Sequence, residues 1–160
     1  MFKTKTDLPE DIRVRAIELL NARLADAIDL ATQTKHAHWN VKGPNFISLH
    51  ELFDKINEAV VDYVDEIAER AVQLGGVAEG TARMAARRSA LAEYPATAVG
   101  GSSHVEALST VLAAFGKAAR QAIKTANDIG DLDTADLFTE VSRGIDKWLW
   151  FVEAHQQSER

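Results

Sequence analysis

Residues 46–76 read FISLHELFDKINEAVVDYVDEIAERAVQLGG, and this stretch decides the fold. Leu49, Leu52, Phe53, Ile56, Val60, Tyr63, Val64, Ile67, Ala71 and Leu74 recur at three- and four-residue spacing, as in a helix with one apolar stripe. Asn45 is placed to cap its start, and Gly75 and Gly76 to stop it. At about 100° per residue, His50, Asp54, Asp65 and Glu69 form a second line away from that stripe. Carboxylates alone would mark a solvated face. Val61, Ala68 and Val72 share this line, however, and apolar residues between potential ligands predict a face covered by another subunit. His50 and Asp65 lie roughly 22 Å apart along the axis, too far to bind one ion within a single chain. Two antiparallel copies of the helix would bring His50 and Asp54 of one chain against Asp65 and Glu69 of the other. Two-fold symmetry would make two such sites per dimer.

Working outward, the periodicity predicts three more long helices. Upstream, Ile12, Ala16, Leu19, Leu20, Ala27, Leu30, Ala31 and Thr34 form a stripe over residues 9–39, with Pro9, Glu10 and Asp11 suited to the first turn. His38 continues this stripe and sits just before the Asn40–Asn45 turn into the helix that carries His50. Its place beside that turn raises it from a core histidine to a candidate ligand. His36 points elsewhere on the same helix. Downstream, residues 77–101 make a long connector with one short helix near Arg83–Arg88. The third long helix is expected from Ser103, whose spacing to Glu106 fits a capping box, with Val105, Leu108, Leu112, Phe115, Ala119, Ala122 and Ile123 as its stripe. The fourth is expected from Asp133 as cap, with Leu137, Phe138, Val141, Ile145, Trp148, Leu149 and Val152. His104 and His155 read as surface residues. The expected fold is all-α: a ferritin-like four-helix bundle over residues 9–155, with a long crossover between its second and third helices and short tails at 1–8 and 156–160.

Composition narrows the chemistry. The 160 residues are 46% hydrophobic and contain no cysteine, so disulfide scaffolds, thiolate metal sites and cysteine catalysis are excluded. A metal site must draw on His, Asp and Glu. A bundle with an internal di-iron site would carry Glu-x-x-His on two helices, and no Glu precedes any of the five His by three. The net charge of −6 argues against nucleic acid as an obvious partner. No apolar run approaches membrane-spanning length, and the N-terminus lacks a signal-like stretch, which leaves the cytoplasm as the expected location.

TKHAHWNVKGPNF (34–46), LHELFD (49–54) and DYVDEIAERAVQLGG (62–76) together resemble the Dps family of mini-ferritins. DTADLF (133–138) and IDKWLWFVE (145–153) are similar to the end of that family's last helix. The resemblance runs from about Asp7 to Glu153. It implies a homo-dodecameric hollow shell that oxidises Fe(II), preferably with hydrogen peroxide, and stores ferric mineral, protecting the cell and its DNA from oxidative damage. It implies His38, His50 and Asp54 from one chain, with Asp65 and Glu69 from its partner, as iron ligands at a two-fold interface. Zn2+ and Mn2+ are expected only as alternatives to iron at that site. Trp39 matches a tryptophan beside the iron, placed to quench a stray oxidising equivalent. Imidazole and carboxylate together suit Fe(II) that must bind and then turn over.

Residues 128–146 carry six acids, and the resemblance implies that this region lines negatively charged three-fold pores for iron entry. Asp128 and Asp136 match that lining, while Leu132 departs from an acidic position. Some family members bind DNA through a Lys-rich N-terminal tail. Here only Lys3 and Lys5 stand against Asp7, and Arg83, Arg87 and Arg88 form the one compact basic cluster. Weak or absent DNA binding is therefore expected at physiological salt. The alternative reading is a DNA-binding, nucleoid-condensing particle in which iron is secondary.

Overall fold

Five helices build the chain in the computed structural model, which describes residues 1–157. They are α1 (Glu10–Asn40), α2 (Phe46–Gln73), α3 (Ala82–Arg88), α4 (Gly101–Ile129) and α5 (Leu132–Glu153). Among the described residues there is no strand, only an isolated parallel bridge between Lys42 and Gly100. Among the described residues, no helix is long and apolar enough to cross a membrane. The short turns at residues 41–45 and 130–131 fold α1 against α2 and α4 against α5, and the two hairpins pack through α1–α4 and α2–α5 contacts. Residues 74–100 cross between the hairpins and carry α3 on the outside of α1. The four stripes meet in one core, where Leu20, Leu24, Phe53, Ile56, Phe115 and Phe138 are fully buried.

Polar side chains on α1 hold the long crossover down. Asn21 Nδ2 donates to the Val77 carbonyl, and Asn21 Oδ1 accepts from the Glu79 N–H. Asp26 accepts from the Ala90 N–H, Asp29 from the Ser89 hydroxyl, and Gln33 donates to the Ala92 carbonyl. Each satisfies a backbone or hydroxyl group that a loop crossing a bundle would otherwise leave unpaired. Burial pushes the Asp26 carboxyl above its usual range, against the Ala90 N–H and the Arg23 charge, which pull it down.

The helix starts differ from the sequence expectation. Pro9 lies just outside α1 rather than in its first turn. Asn45 makes no side-chain cap, because its backbone (φ −97°, ψ 21°) is not extended; its carbonyl instead takes the Ser48 hydroxyl. α4 begins at Gly101, two residues before Ser103. The Ser103 hydroxyl donates to the Gly100 carbonyl and accepts from the Val99 N–H, and Glu106 turns to Gln156 instead of closing a capping box. α5 is capped by Asp131, whose carboxylate accepts from Thr134 N, and Asp133 is an exposed first-turn residue.

Two glycines serve close approaches. Gly75 ends α2 at φ +89° and lies under Phe2, whose N–H donates to the Gly75 carbonyl. Gly144 lets Tyr63 of α2 lie on α5, since a Cβ there would fall 1.8 Å from Tyr63 Oη. Gly144→Ala should therefore destabilise the bundle by about 1–3 kcal/mol, because the ring must leave its seat. Thermal unfolding checks this, and an unchanged midpoint would contradict the packing.

Candidate metal centre

His38 lies in the last turn of α1 and His50 in the second turn of α2, so the 41–45 turn brings them together. The bridge at Lys42 and the Gly101 N–H bonded to the Lys42 carbonyl (3.1 Å) pin that turn to the start of α4. The two imidazoles stack at 3.7 Å. They also clasp each other's backbone: His38 Nδ1 meets the His50 carbonyl at 2.8 Å, and His50 Nδ1 meets the His38 carbonyl at 2.9 Å. A carbonyl oxygen only accepts, so each Nδ1 carries the proton. With Nδ1 so engaged, Nε2 is the nitrogen left free on each ring, the arrangement that orients histidine for a metal. The Phe46 ring lies 5.0 Å from that of His50. Beneath, Asn57 of α2 donates to the Ala31 carbonyl (2.7 Å) and to the Thr34 hydroxyl (3.1 Å), which locks the register of α1 against α2.

Asp54, one turn beyond His50, has its Oδ1 3.9 Å from His38 Nδ1. It is paired with Lys35, which the sequence reading passed over. The signal was available: Lys35 stands three residues before His38, on a neighbouring face of α1. The hydrogen bond from Lys35 holds the Asp54 carboxyl below the usual carboxylate range, with the two histidines adding to the effect against a partial desolvation penalty. A carboxyl lowered on folding is favoured above its unfolded pKa, and that contribution is lost as pH falls through the lowered value. The Asp54 carboxyl therefore stays ionised into mild acid. In Lys35→Met the Asp54 titration, followed by carboxyl NMR, should move up towards the ordinary aspartate value. No movement would show that Lys35 does not set it.

Asp65 and Glu69 lie further along α2, exposed, and do not converge with His38, His50 and Asp54. Among the described residues, no three His, Cys, Asp or Glu side chains come together closely enough to hold a metal ion within one chain. The α2 line that carries them is open in the single protomer, with Val61 49% and Val72 54% exposed. Trp39 is 69% exposed at the carboxyl end of α1. It borders a cleft of about 780 Å³ that also includes His36, Asp29, Glu93 and Tyr94.

His104 corrects the sequence expectation of a surface residue. It is fully buried, because α4 starts early and turns this position inward against the crossover. His155 is exposed as expected. Asp128 and Asp136 are exposed near the α4–α5 turn; Asp128 is paired with Lys124 at 2.5 Å.

A four-helix bundle with one long crossover and an imidazole–carboxylate pair between its first two helices defines a ferritin-like protein, and residues 17–160 match the ferritin-like domain family. The chain is 44% identical over 155 residues to the DNA protection during starvation protein of Agrobacterium fabrum, covering 97% of this chain and 96% of the relative. Mycobacterium smegmatis Dps superposes with a TM-score of 0.93 at 33% identity, covering 99% and 90% of the two chains. DpsA14 from Streptomyces coelicolor gives 0.92 at 35% identity, over 97% and 92%. The chain belongs to the Dps family.

Proposed function

We propose that this protein binds Fe(II) between pairs of protomers, oxidises it with hydrogen peroxide as the preferred oxidant, and stores the ferric product inside a twelve-subunit shell. The observation that carries this reading is the reciprocal His38–His50 clasp, which prepares two Nε2 lone pairs on one rigid turn beside the ionised Asp54. Asp65 and Glu69 of a second copy complete the ligand set. The apolar residues between them on α2 become the contact that brings that copy in.

The residues have separable roles. His38 and His50 bind Fe(II) through neutral nitrogens without adding charge. Asp54, Asp65 and Glu69 supply negative charge, which stabilises Fe(III) over Fe(II) and so favours the oxidised product. Lys35 neutralises Asp54 until Fe(II) displaces it. Peroxide takes one electron from each of two Fe(II), and with two protons leaves as two waters, so no hydroxyl radical is released. Zn2+ and Mn2+ compete for the same ligands. Asp136, exposed and without a salt-bridge partner among the described residues, together with Asp128, draws cations to an entry pore by local negative potential.

Binding DNA as the main activity has less support. Residues 1–8 set only Lys3 and Lys5 against Asp7, and Phe2 is tied to Gly75. Arg88 of the basic cluster is neutralised by Glu18 and Glu79. We place the protein in the cytoplasm, where peroxide and Fe(II) meet near the nucleoid. Mass determination by size-exclusion light scattering, before and after Fe(II) and peroxide, tests assembly and storage together. A particle of about twelve subunits that gains mass as mineral forms is expected. A monomer or a lone dimer that gains none would refute the reading.

A further inference from the structure

Tyr94 and His104 lie in the crossover and the first turn of α4, and no part of the proposed iron chemistry uses them. The phenol oxygen is 2.6 Å from His104 Nδ1, and the two rings lie nearly parallel. Nδ1 is the only partner of that hydroxyl among the described residues; with the ring proton on Nε2, the phenol donates and Nδ1 accepts. His104 is fully buried; among the described residues its Nε2 makes no hydrogen bond of good geometry, and the backbone acceptor the ring feels is that of Asn40. A buried imidazole with one nitrogen held by a phenol and the other poorly satisfied is costly to keep for packing alone. Burial raises the phenol well above its ordinary range and pushes the imidazole down, so both groups rest neutral. A hydrogen bond to the Asn40 backbone, at the carboxyl end of α1, acts the other way and favours a charged His104 ring.

The pair is placed against the metal-binding turn. The Tyr94 ring meets His36 edge-on at 5.0 Å. His36 and Trp39 are three residues apart on α1 and so are surface neighbours. Trp39 and Tyr94 line the same cleft, with the carboxylates of Asp29 and Glu93 among its walls. Negative charge there favours an electron vacancy on an aromatic ring. Tyr63, the only other tyrosine, has no imidazole partner among the described residues.

The geometry points to Tyr94–His104 as a proton-coupled electron donor that captures one-electron oxidising equivalents escaping from Fe(II) and peroxide. This rests on the ferroxidase reading above. Hydroxyl radical, formed when one Fe(II) alone reduces peroxide, takes an electron from Trp39 and leaves as hydroxide, so Trp39 becomes a radical cation. Tyr94 then gives an electron to Trp39 and its hydroxyl proton to His104 Nδ1. The products are neutral Trp39, a neutral tyrosyl radical and a protonated His104. The short hydrogen bond keeps the proton in place, so it returns when a further Fe(II) reduces the radical and becomes Fe(III). A damaging equivalent thus ends as one more stored ferric ion.

The test is rapid-freeze electron paramagnetic resonance on the assembled protein, mixed anaerobically with excess Fe(II) and then peroxide, with Fe(III) measured on the same samples. The unaltered protein should show a tyrosyl radical. Tyr94→Phe, which keeps the ring and its packing, should lose it while Fe(III) forms at an unchanged initial rate, and the vacancy should persist on Trp39. His104→Gln should lose the tyrosyl signal with Tyr94 still present; circular dichroism confirms that this variant is folded. If it does not fold, the Tyr94→Phe result decides alone. Fe(III) formation with no tyrosyl radical, or with one that survives Tyr94→Phe, overturns the proposal and leaves the ferroxidase reading standing. Absence of Fe(III) formation overturns both.

Discussion

In the His50→Ala, Asp54→Ala double variant, peroxide-driven Fe(II) oxidation is expected to fall by at least about 100-fold, since losing groups that merely orient a metal ligand already costs about 10–100-fold. The effect reaches beyond the two deleted side chains. The His50 ring is one half of the clasp, so its removal leaves the His38 carbonyl without its imidazole donor and the His38 ring without its stacking partner. Lys35 loses Asp54 and leaves an unmatched positive charge at the proposed cation site. Both substitutions lie at half-buried positions outside the main core, so the shell should still assemble. Stopped-flow absorbance of Fe(III) after peroxide addition, on particles shown to be assembled, reads the effect. An unchanged rate would remove this turn from the mechanism.

The second large effect is expected in stability, from Asp131→Ala. Asp131 is 1% exposed and joins α2 to the start of α5. Its carboxylate accepts from Arg70 Nη2 at 2.8 Å, from the Thr134 N–H at 3.1 Å and from the Thr134 hydroxyl at 2.6 Å, while Arg70 Nε donates to that same hydroxyl. Removing it strands a largely buried guanidinium, which costs about 3–5 kcal/mol, and removes a helix cap, worth about 1 kcal/mol more. The thermal midpoint should drop by on the order of 10 °C. Asp131→Asn should fall between the two, because it keeps an accepting oxygen for Thr134 and loses only the charge. A midpoint unchanged in Asp131→Ala would mean that this network contributes nothing to holding the last helix.

The helices and the candidate ligands were legible in the sequence for a common reason. Periodicity is local: Leu49, Phe53, Ile56, Val60 and Ile67 state one face of α2 without reference to any other part of the chain, and all are buried. The second line on α2 is equally local, so its separation from the core face could be read from residue spacing alone. Helix starts were less legible, because a cap depends on backbone angles that neighbouring segments impose. Asn45 has a suitable side chain and the wrong ψ, and Asp131 outcompetes Asp133 because Arg70, sixty-one residues earlier, meets it there.

What the sequence by itself determined is therefore the four amphipathic stripes, the long crossover between the second and third long helices, and the residue types available to a metal. Each follows from local spacing or composition. Only the tertiary structure decided which groups face one another. It stacked His38 on His50 and aimed each Nδ1–H at the other's backbone carbonyl across a turn; it set Lys35 against Asp54, and it buried His104 under Tyr94. These contacts join residues from different elements whose relative placement is set by the packing of whole helices, and no local periodicity encodes that placement.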